Sequence, residues 1–394
     1  MGFVSVTFNQ ENVANIIHRL KNNGYILKNI VINDNKTITI DFVYNSNQKK
    51  SLSLYNYGII AINKIEDSEL KILELSYNNI TKIENLQELI SLTCLDLSHN
   101  NIEVIENLDL MNNLEKLNLN NNKITKIEGL SELKKLKKLY LLNNKITKIE
   151  GLSELKNLEI LYLSYNQITQ IEGLSELKNL IELYLDRNKI TKIEGLSDLK
   201  NIQELALSYN QINKIEKLSD LTNLSKLWLQ NNKIMKIEGL SDLKKIQTLY
   251  LCDNQITRLE GLSELKNLSS LNLIGNNIIN KDYDYPFYTD IPLTIEKNIV
   301  IENKTVDEIV NDIIKVRIEK KLKKGDRYHF DKYYSVQSRY EFSCDMIRDI
   351  IVGVSKKRIE LTKLGLDLCF VKFSYSRDFI PDEYIYIDYL IGYE

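Results

Sequence analysis

The chain has 394 residues, 43% of them hydrophobic, and its 52 basic and 54 acidic side chains give a formal net charge of −2. This balance gives no reason to expect a nucleic acid or an anionic membrane as the partner. The four cysteines form no Cys-x-x-Cys pair, the first residues lack a secretory signal pattern, and no apolar run reaches the ~18 residues of a membrane span. We therefore expect an intracellular, cytoplasmic protein, with a nuclear location as the alternative, and without disulfides, a zinc site or a membrane segment.

The first 50 residues predict a strand, a helix and two further strands. Residues 3–8 alternate between apolar and polar side chains, as a half-buried strand does. Asn9 is placed to cap a helix that ends near Gly24. Residues 25–32 and 37–44 flank a polar turn and predict a hairpin. We expect residues 1–50 to form a β-α-β-β cap over the segment that follows.

Residues 51–280 are dominated by a repeat of 22 residues. Each unit carries the pattern Leu-x-Leu-x-x-Asn-x-Ile, as in residues 161–168. A fixed period of this length predicts a solenoid of stacked units. The asparagines of the pattern are Asn78, Asn100, Asn122, Asn144, Asn166, Asn188, Asn210, Asn232, Asn254 and Asn276.

A single unit predicts its own local structure. Leu161 and Leu163 alternate with exposed positions and predict a short strand with one buried face. Asn166 stands at the following bend, where its amide can satisfy backbone groups and build a ladder through the stack. The apolar residues of 168–180 recur every third position, which favours a tight 3₁₀-like path, with a short helical piece capped by Ser175. Strands inside and tight turns outside predict a parallel sheet on a concave face.

The stretch Asn144-Lys145-Ile146-Thr147-Lys148-Ile149-Glu150-Gly151-Leu152 resembles the leucine-rich repeats of the 22-residue class. That class typifies the protein phosphatase 1 regulatory subunit, and a similar repeat length occurs in bacterial internalins. The resemblance covers residues 52–280. It implies an α/β solenoid of about ten repeats with a parallel β-sheet on the concave face. It also implies, as one alternative function, a regulatory subunit that binds a Ser/Thr phosphatase catalytic subunit.

The exposed side of the predicted strands carries the candidate binding residues. Tyr, Trp and Arg dominate the energetics of protein interfaces, and charged neighbours orient a partner. Strand propensity alone also favours Tyr here, and repeat duplication could have copied it. We predict a non-enzymatic interaction module or scaffold that binds a protein partner on this face. The candidates are Tyr140, Tyr162, Tyr184, Trp228 and Tyr250 between the strand leucines, Tyr165, Arg187 and Tyr209 before the asparagines, and the acidic Glu182, Asp186 and Glu204.

Beyond residue 280 the period ends, and residues 281–394 predict a cap segment and an α+β domain. We expect helices from residue 305 and over 345–363, and strands over 366–375 and 383–393. Cys344 beside Asp345, with His329 in the same domain, leaves open an enzyme or ligase-like effector whose repeats select the substrate. The three histidines lie in different regions, and no phosphate-binding loop or metal motif occurs, so no catalytic residue, cofactor or metal is predicted.

Overall fold

The computed structural model describes residues 2–10, 13–33, 36–45, 50–258, 261–262, 264–273, 275–279, 286–288, 293–294, 367–375 and 385–392. The chain divides into two compact units, residues 1–224 and 225–394, and each is described by itself. The predicted domain boundaries near 50 and 280 stay predictions. The helices expected from residue 305 and over 345–363, the pair Cys344–Asp345 and His329 lie outside the described residues.

The N-terminal elements follow the predicted order. They are β1 (Gly2–Asn9), α1 (Val13–Asn22), β2 (Ile26–Ile32) and β3 (Thr37–Tyr44). Their sheet has the order β2-β3-β1-β5 with antiparallel neighbours, so β5 (Ile59–Glu66), from the segment beyond the predicted cap, completes it. Alternation along β1 and β3 places apolar side chains in a core, and α1 buries Ile16 and Leu20.

In the first unit, three-residue strands form a parallel sheet, as the repeat predicts, with a spacing of 21 residues from the first strand to the second and of 22 residues after that. Each residue pairs with its equivalent in the next repeat, so Leu161 stands opposite Leu139 and Leu183. These leucines have no solvent-exposed surface, which places the core directly behind the strands. The strands are β4 (Ser51–Ser53), β6 (Ile72–Glu74), β7 (Cys94–Asp96), β8 (Lys116–Asn118), β9 (Lys138–Tyr140), β10 (Ile160–Tyr162), β11 (Glu182–Tyr184) and β12 (Glu204–Ala206).

The returning segment of each repeat is a chain of tight turns. The Leu177 amide donates to the Leu174 carbonyl at 2.9 Å, and the Leu180 amide donates to the Leu177 carbonyl at 3.0 Å. These i to i+3 bonds confirm the predicted 3₁₀-like path. The short helical piece predicted after Ser175 is wrong, since the segment forms turns. An α-helix turns about 100° per residue and would rotate every third side chain away from the core.

The repeat asparagines form the predicted buried ladder. Asn166 is 7% exposed, and its Oδ1 accepts from the Ile146 amide of the preceding repeat at 2.9 Å. Its Nδ2 donates to the carbonyls of Leu141 at 2.9 Å and Leu163 at 3.0 Å. The same arrangement recurs in the first unit at Asn100, Asn122, Asn144, Asn188 and Asn210.

A glycine is required at one turn of most repeats. Gly173 has φ of +69°, and a Cβ there would collide with the Ile149 carbonyl oxygen. We expect Gly173→Ala to lower the free energy of unfolding by about 1–3 kcal/mol, because left-handed backbone and displaced carbonyl both cost energy. Urea denaturation followed by circular dichroism measures the change.

The matched control for Gly173→Ala is Lys217→Gly. Lys217 occupies the equivalent position with φ of 58°, so glycine relieves strain there while adding freedom to the unfolded chain. We expect this variant to be between equally stable and about 1 kcal/mol more stable than the wild type. A Gly173→Ala protein as stable as the wild type would show that the turn relaxes without cost.

The second unit begins with parallel strands of the same length and 22-residue spacing, and antiparallel pairs follow them. Its parallel strands β13 (Lys226–Trp228), β14 (Thr248–Tyr250) and β15 (Ser270–Asn272) are followed by a hairpin of β16 (Asn277–Ile279) and β17 (Pro286–Tyr288). Strand β18 (Leu293–Thr294) pairs antiparallel with β15, which ends the run of parallel pairing. The predicted C-terminal strands are confirmed as an antiparallel pair, β19 (Asp367–Tyr375) and β20 (Ile385–Gly392).

Candidate binding surface on the repeat sheet

Strand alternation places the first and third residues of each strand on the side of the sheet opposite the core. Leu161 and Leu163 point into the core, so Tyr162 between them points outward and is only partly buried. The parallel register places Tyr162 beside Tyr140 and Tyr184. We call the outward side of the strands in the first unit the sheet face. The structure thus brings three of the predicted tyrosines together.

The three tyrosines are in direct contact. The ring centroids of Tyr140 and Tyr162 are 5.0 Å apart with planes at 89°, and those of Tyr162 and Tyr184 are 4.3 Å apart at 47°. Aromatic pairs at such distances contribute about 0.5–1.5 kcal/mol beyond burial. Lys116 Nζ lies 5.6 Å from the Tyr140 ring centroid. These contacts therefore restrict the orientation of the three rings within the chain itself.

Two glutamates fix the tyrosine hydroxyls. The Tyr162 hydroxyl donates to Glu182 Oε2 at 3.0 Å, and the Tyr184 hydroxyl donates to Glu204 Oε2 at 2.6 Å. Burial, followed by these hydrogen bonds, raises the pKa of both tyrosines well above its ordinary value, so both hydroxyls keep their protons at neutral pH. A carboxylate can accept several hydrogen bonds through its two oxygens. Aromatic and acidic groups are thus combined in one ordered cluster.

Asp186 ties three adjacent repeats together. Its Oδ1 accepts from the Ser208 amide at 2.9 Å, and its Oδ2 accepts from the Ser164 hydroxyl at 3.2 Å. Burial raises the pKa of this carboxyl, although the hydrogen bonds from Ser208 and Ser164 act in the opposite direction. Because burial dominates, the ionised form of Asp186 costs folding free energy at neutral pH.

We expect Asp186→Asn to be more stable than the wild type at pH 7. A carboxyl with a raised folded-state pKa stabilises the fold below its unfolded pKa, and that stabilisation is lost as pH rises through the folded-state value. The amide does not titrate and can still accept from the Ser208 amide. Thermal denaturation between pH 3 and pH 8 should show the stability difference closing as the pH falls. A wild type more stable than the variant at pH 7 would contradict this balance.

A second row of side chains runs beside the row of Tyr140, Tyr162 and Tyr184. It occupies the position before each ladder asparagine. Tyr165, Arg187 and Tyr209 occupy it in consecutive repeats with φ of 57°, 53° and 54°. The left-handed region costs residues other than glycine and asparagine about 1 kcal/mol each. The equivalent positions 121 and 143 carry asparagine, the residue that suits this backbone best. The tyrosines are 48% and 41% exposed, so the row presents large side chains to solvent despite the backbone cost.

The same row contains an aromatic pair that the site prediction left out. Tyr77 and His99 stack with ring centroids 3.8 Å apart at 13°, and His99 Nε2 lies 3.0 Å from Asn121 Nδ2. Burial lowers the pKa of His99, which favours the neutral ring. The 22-residue spacing places Tyr77 and His99 in this row from the sequence alone, but it does not predict the contact between their rings.

The second unit has two aromatic residues at the strand position that Tyr140, Tyr162 and Tyr184 occupy in the first unit. Trp228 and Tyr250 are in register on neighbouring strands. Lys226 Nζ lies 6.0 Å from the Trp228 ring centroid, and the Ser270 hydroxyl lies 3.5 Å from the Tyr250 hydroxyl. Both predicted residues are partly exposed on the outward side of their own sheet.

The described residues offer little for catalysis. They contain no group of three or more His, Cys, Asp and Glu side chains that could hold a metal ion. Burial raises the pKa of the Cys94 thiol, and that of Cys252 to about 12, so neither is a ready nucleophile. No helix among these residues is long and apolar enough to span a bilayer.

Comparisons with known proteins agree with the architecture. A family model described as leucine-rich repeats (2 copies) matches residues 112–154, 156–198, 200–242 and 244–286, and a single-repeat model matches 91–112. No curated protein sequence matches the chain.

Solved structures of bacterial repeat proteins are similar. An internalin (inlF) from Listeria monocytogenes is 27% identical with a TM-score of 0.56, over 61% of this chain and 72% of that one. A leucine-rich repeat protein of Leptospira interrogans is 30% identical with a TM-score of 0.49, over 54% of this chain and 62% of that one. Together with the stacked strands and the asparagine ladder, the repeat-family matches and the internalin match show that the chain belongs to the leucine-rich repeat proteins.

Proposed function

We propose that this chain is a non-enzymatic protein-binding module whose partner lies across the sheet face. The observation that carries the proposal is the cluster of Tyr140, Tyr162 and Tyr184 with Glu182 and Glu204. Its rings and hydroxyls are held by one another, so little side-chain freedom remains to be lost on binding. Leucine-rich repeat proteins are protein-interaction modules, which agrees with this use of the surface.

The shape of the cluster favours a protein over a small molecule. Its residues are spread over successive strands, which lie about 4.8 Å apart in a β-sheet, and form an extended strip instead of a closed pocket. Exposed aromatic residues with charged neighbours are typical of protein interfaces. The partner surface that fits combines apolar side chains, which pack on the rings, with hydrogen-bond donors or basic groups for the two glutamates.

The other predicted functions gain no support. Neither the described residues nor the matching proteins provide evidence for regulation of a Ser/Thr phosphatase or for enzyme activity in the C-terminal region. The predicted cytoplasmic location likewise stays a prediction. We therefore propose the binding module without naming its partner.

Affinity capture from native extract tests the proposal. The bait proteins are the wild type, the double variant Tyr162→Ala, Tyr184→Ala, and the control double variant Lys192→Ala, Glu194→Ala on the exposed turn segment. The control leaves the net charge unchanged. We expect mass spectrometry to identify a protein that the wild type and the control retain and the tyrosine variant loses. A protein retained equally by all three would contradict binding at the sheet face.

A further inference from the structure

The Arg187 side chain is held between two aromatic rings. Its guanidinium carbon lies 5.0 Å from the Tyr165 ring centroid and 3.8 Å from the Tyr209 ring centroid. All three residues have the same left-handed backbone and sit in consecutive repeats, so the arrangement follows from the repeat geometry. Cation–π contacts on both sides restrict the orientation of the planar group.

No acidic group among the described residues neutralises Arg187. The acid nearest in sequence, Asp186, directs its two oxygens to the Ser208 amide and the Ser164 hydroxyl instead. No ion pair or side-chain hydrogen bond of the guanidinium occurs within the part of the chain that the structure describes. The residue is exposed, so its N–H donors face solvent.

The chemistry of this group selects a narrow class of ligand. With rings beside its faces, the guanidinium can be approached along its edge, where pairs of parallel N–H groups point outward. A planar acceptor with two oxygens matches that edge and forms two charge-assisted hydrogen bonds. An ammonium group at the same place could not reproduce this geometry.

We infer that Arg187 is an anion-binding position that receives an aspartate or glutamate side chain of the bound protein. A carboxylate fits better than a phosphate because Glu182 and Glu204 on the neighbouring strands β11 and β12, and Asp186 just after β11, already place negative charge in the same repeats. Repulsion from these groups grows with the charge of the ligand. The inference rests on the proposed function, since it assigns one contact of the same partner.

A titration tests this inference without the partner. The probe is an acetylated, amidated Gly-Glu-Gly-Glu-Gly peptide, compared with its Gln counterpart and with inorganic phosphate. The readout is the ¹H–¹⁵N signal of the Arg187 Nε–H group, identified by its absence in Arg187→Lys. We expect the Glu peptide to shift this signal saturably, the Gln peptide to leave it unmoved, and phosphate to bind more weakly than the Glu peptide.

Variants then distinguish the effect of the paired N–H donors of Arg187 from the effect of its positive charge. Calorimetry measures the affinity for the peptide. We expect Arg187→Lys to weaken Glu-peptide binding about fivefold or more, since it keeps the charge but loses the paired donors. The variant Tyr165→Ala, Tyr209→Ala should also weaken binding, because it releases the guanidinium. The control Lys189→Gln removes a neighbouring exposed cation and should have little effect.

Two results would overturn the inference: an unmoved Arg187 signal with the Glu peptide, or equal peptide affinity for Arg187→Lys and the wild type. Tighter binding of phosphate than of the Glu peptide would overturn the choice of a carboxylate. None of these outcomes depends on Tyr162 or Tyr184. A failure here is therefore distinguishable from a failure of the sheet face in affinity capture.

Discussion

Asn166→Ala is expected to lower the free energy of unfolding by about 2–4 kcal/mol, because an orphaned buried backbone amide costs about 1–3 kcal/mol and each further lost hydrogen bond costs about 1 kcal/mol. The substitution leaves the Ile146 amide without its acceptor and removes one of two asparagine donors from each of the Leu141 and Leu163 carbonyls. Water cannot easily replace these bonds, since Asn166 is nearly buried. The position lies within the stack, so the loss interrupts coupling between neighbouring repeats.

A second asparagine ladder supplies the matched control. Asn179 is exposed, and its Nδ2 donates to the Lys156 carbonyl at 2.9 Å, with the same 22-residue spacing as the buried ladder. Because water can replace this bond, we expect Asn179→Ala to cost less than about 1 kcal/mol. Urea denaturation of both variants, followed by circular dichroism and by tryptophan fluorescence, provides the comparison. Equal losses for the two asparagines would contradict the role of burial.

The largest effect on function is expected from Tyr162→Ala combined with Tyr184→Ala. Against the captured partner, we expect the affinity to fall at least about 100-fold, which corresponds to about 2.7 kcal/mol. The variant removes two contacting rings and leaves Glu182 and Glu204 without their hydroxyl donors. Calorimetry with purified partner measures the change.

Phenylalanine variants separate the rings from the hydroxyls. Tyr162→Phe with Tyr184→Phe keeps the ring contacts but removes both hydrogen bonds to the glutamates, so we expect a smaller loss of affinity, about tenfold. Ile90→Ala provides a control, because Ile90 is a large exposed apolar residue of the same unit that is not on a strand. A double alanine variant that binds as tightly as the wild type would show that the cluster is not a hot spot.

The repeat geometry was predictable because the local sequence of each unit specifies its strand and the bend that follows. Alternation around Leu161 and Leu163 and the bend at Asn166 are local patterns, and the 22-residue period converts them into a register. The fourth strand of the N-terminal sheet was missed because β5 belongs in sequence to the segment of the first repeats but pairs with β1. Pairing between segments distant in sequence cannot be read from local alternation.

The candidate site was predictable as a set of residues but not as an arrangement. The period places Tyr162 beside Tyr184, yet the ring angle of 47° depends on how neighbouring side chains pack. The bond from Tyr162 to Glu182 joins different positions of adjacent repeats, which a comparison of equivalent positions overlooks. Likewise, nothing in the sequence shows that Asp186 turns toward Ser208 and Ser164 and leaves Arg187 unpaired.

Hydroxyl-radical footprinting of the free and partner-bound protein locates the binding surface without any substitution. If the sheet face is the binding site, Tyr162 and Tyr184 should be oxidised several-fold more slowly in the complex. Tyr55 lies outside the cluster and is exposed, so its oxidation should not change. Equal oxidation of Tyr162 and Tyr184 in the free and bound protein would contradict partner binding across the sheet face.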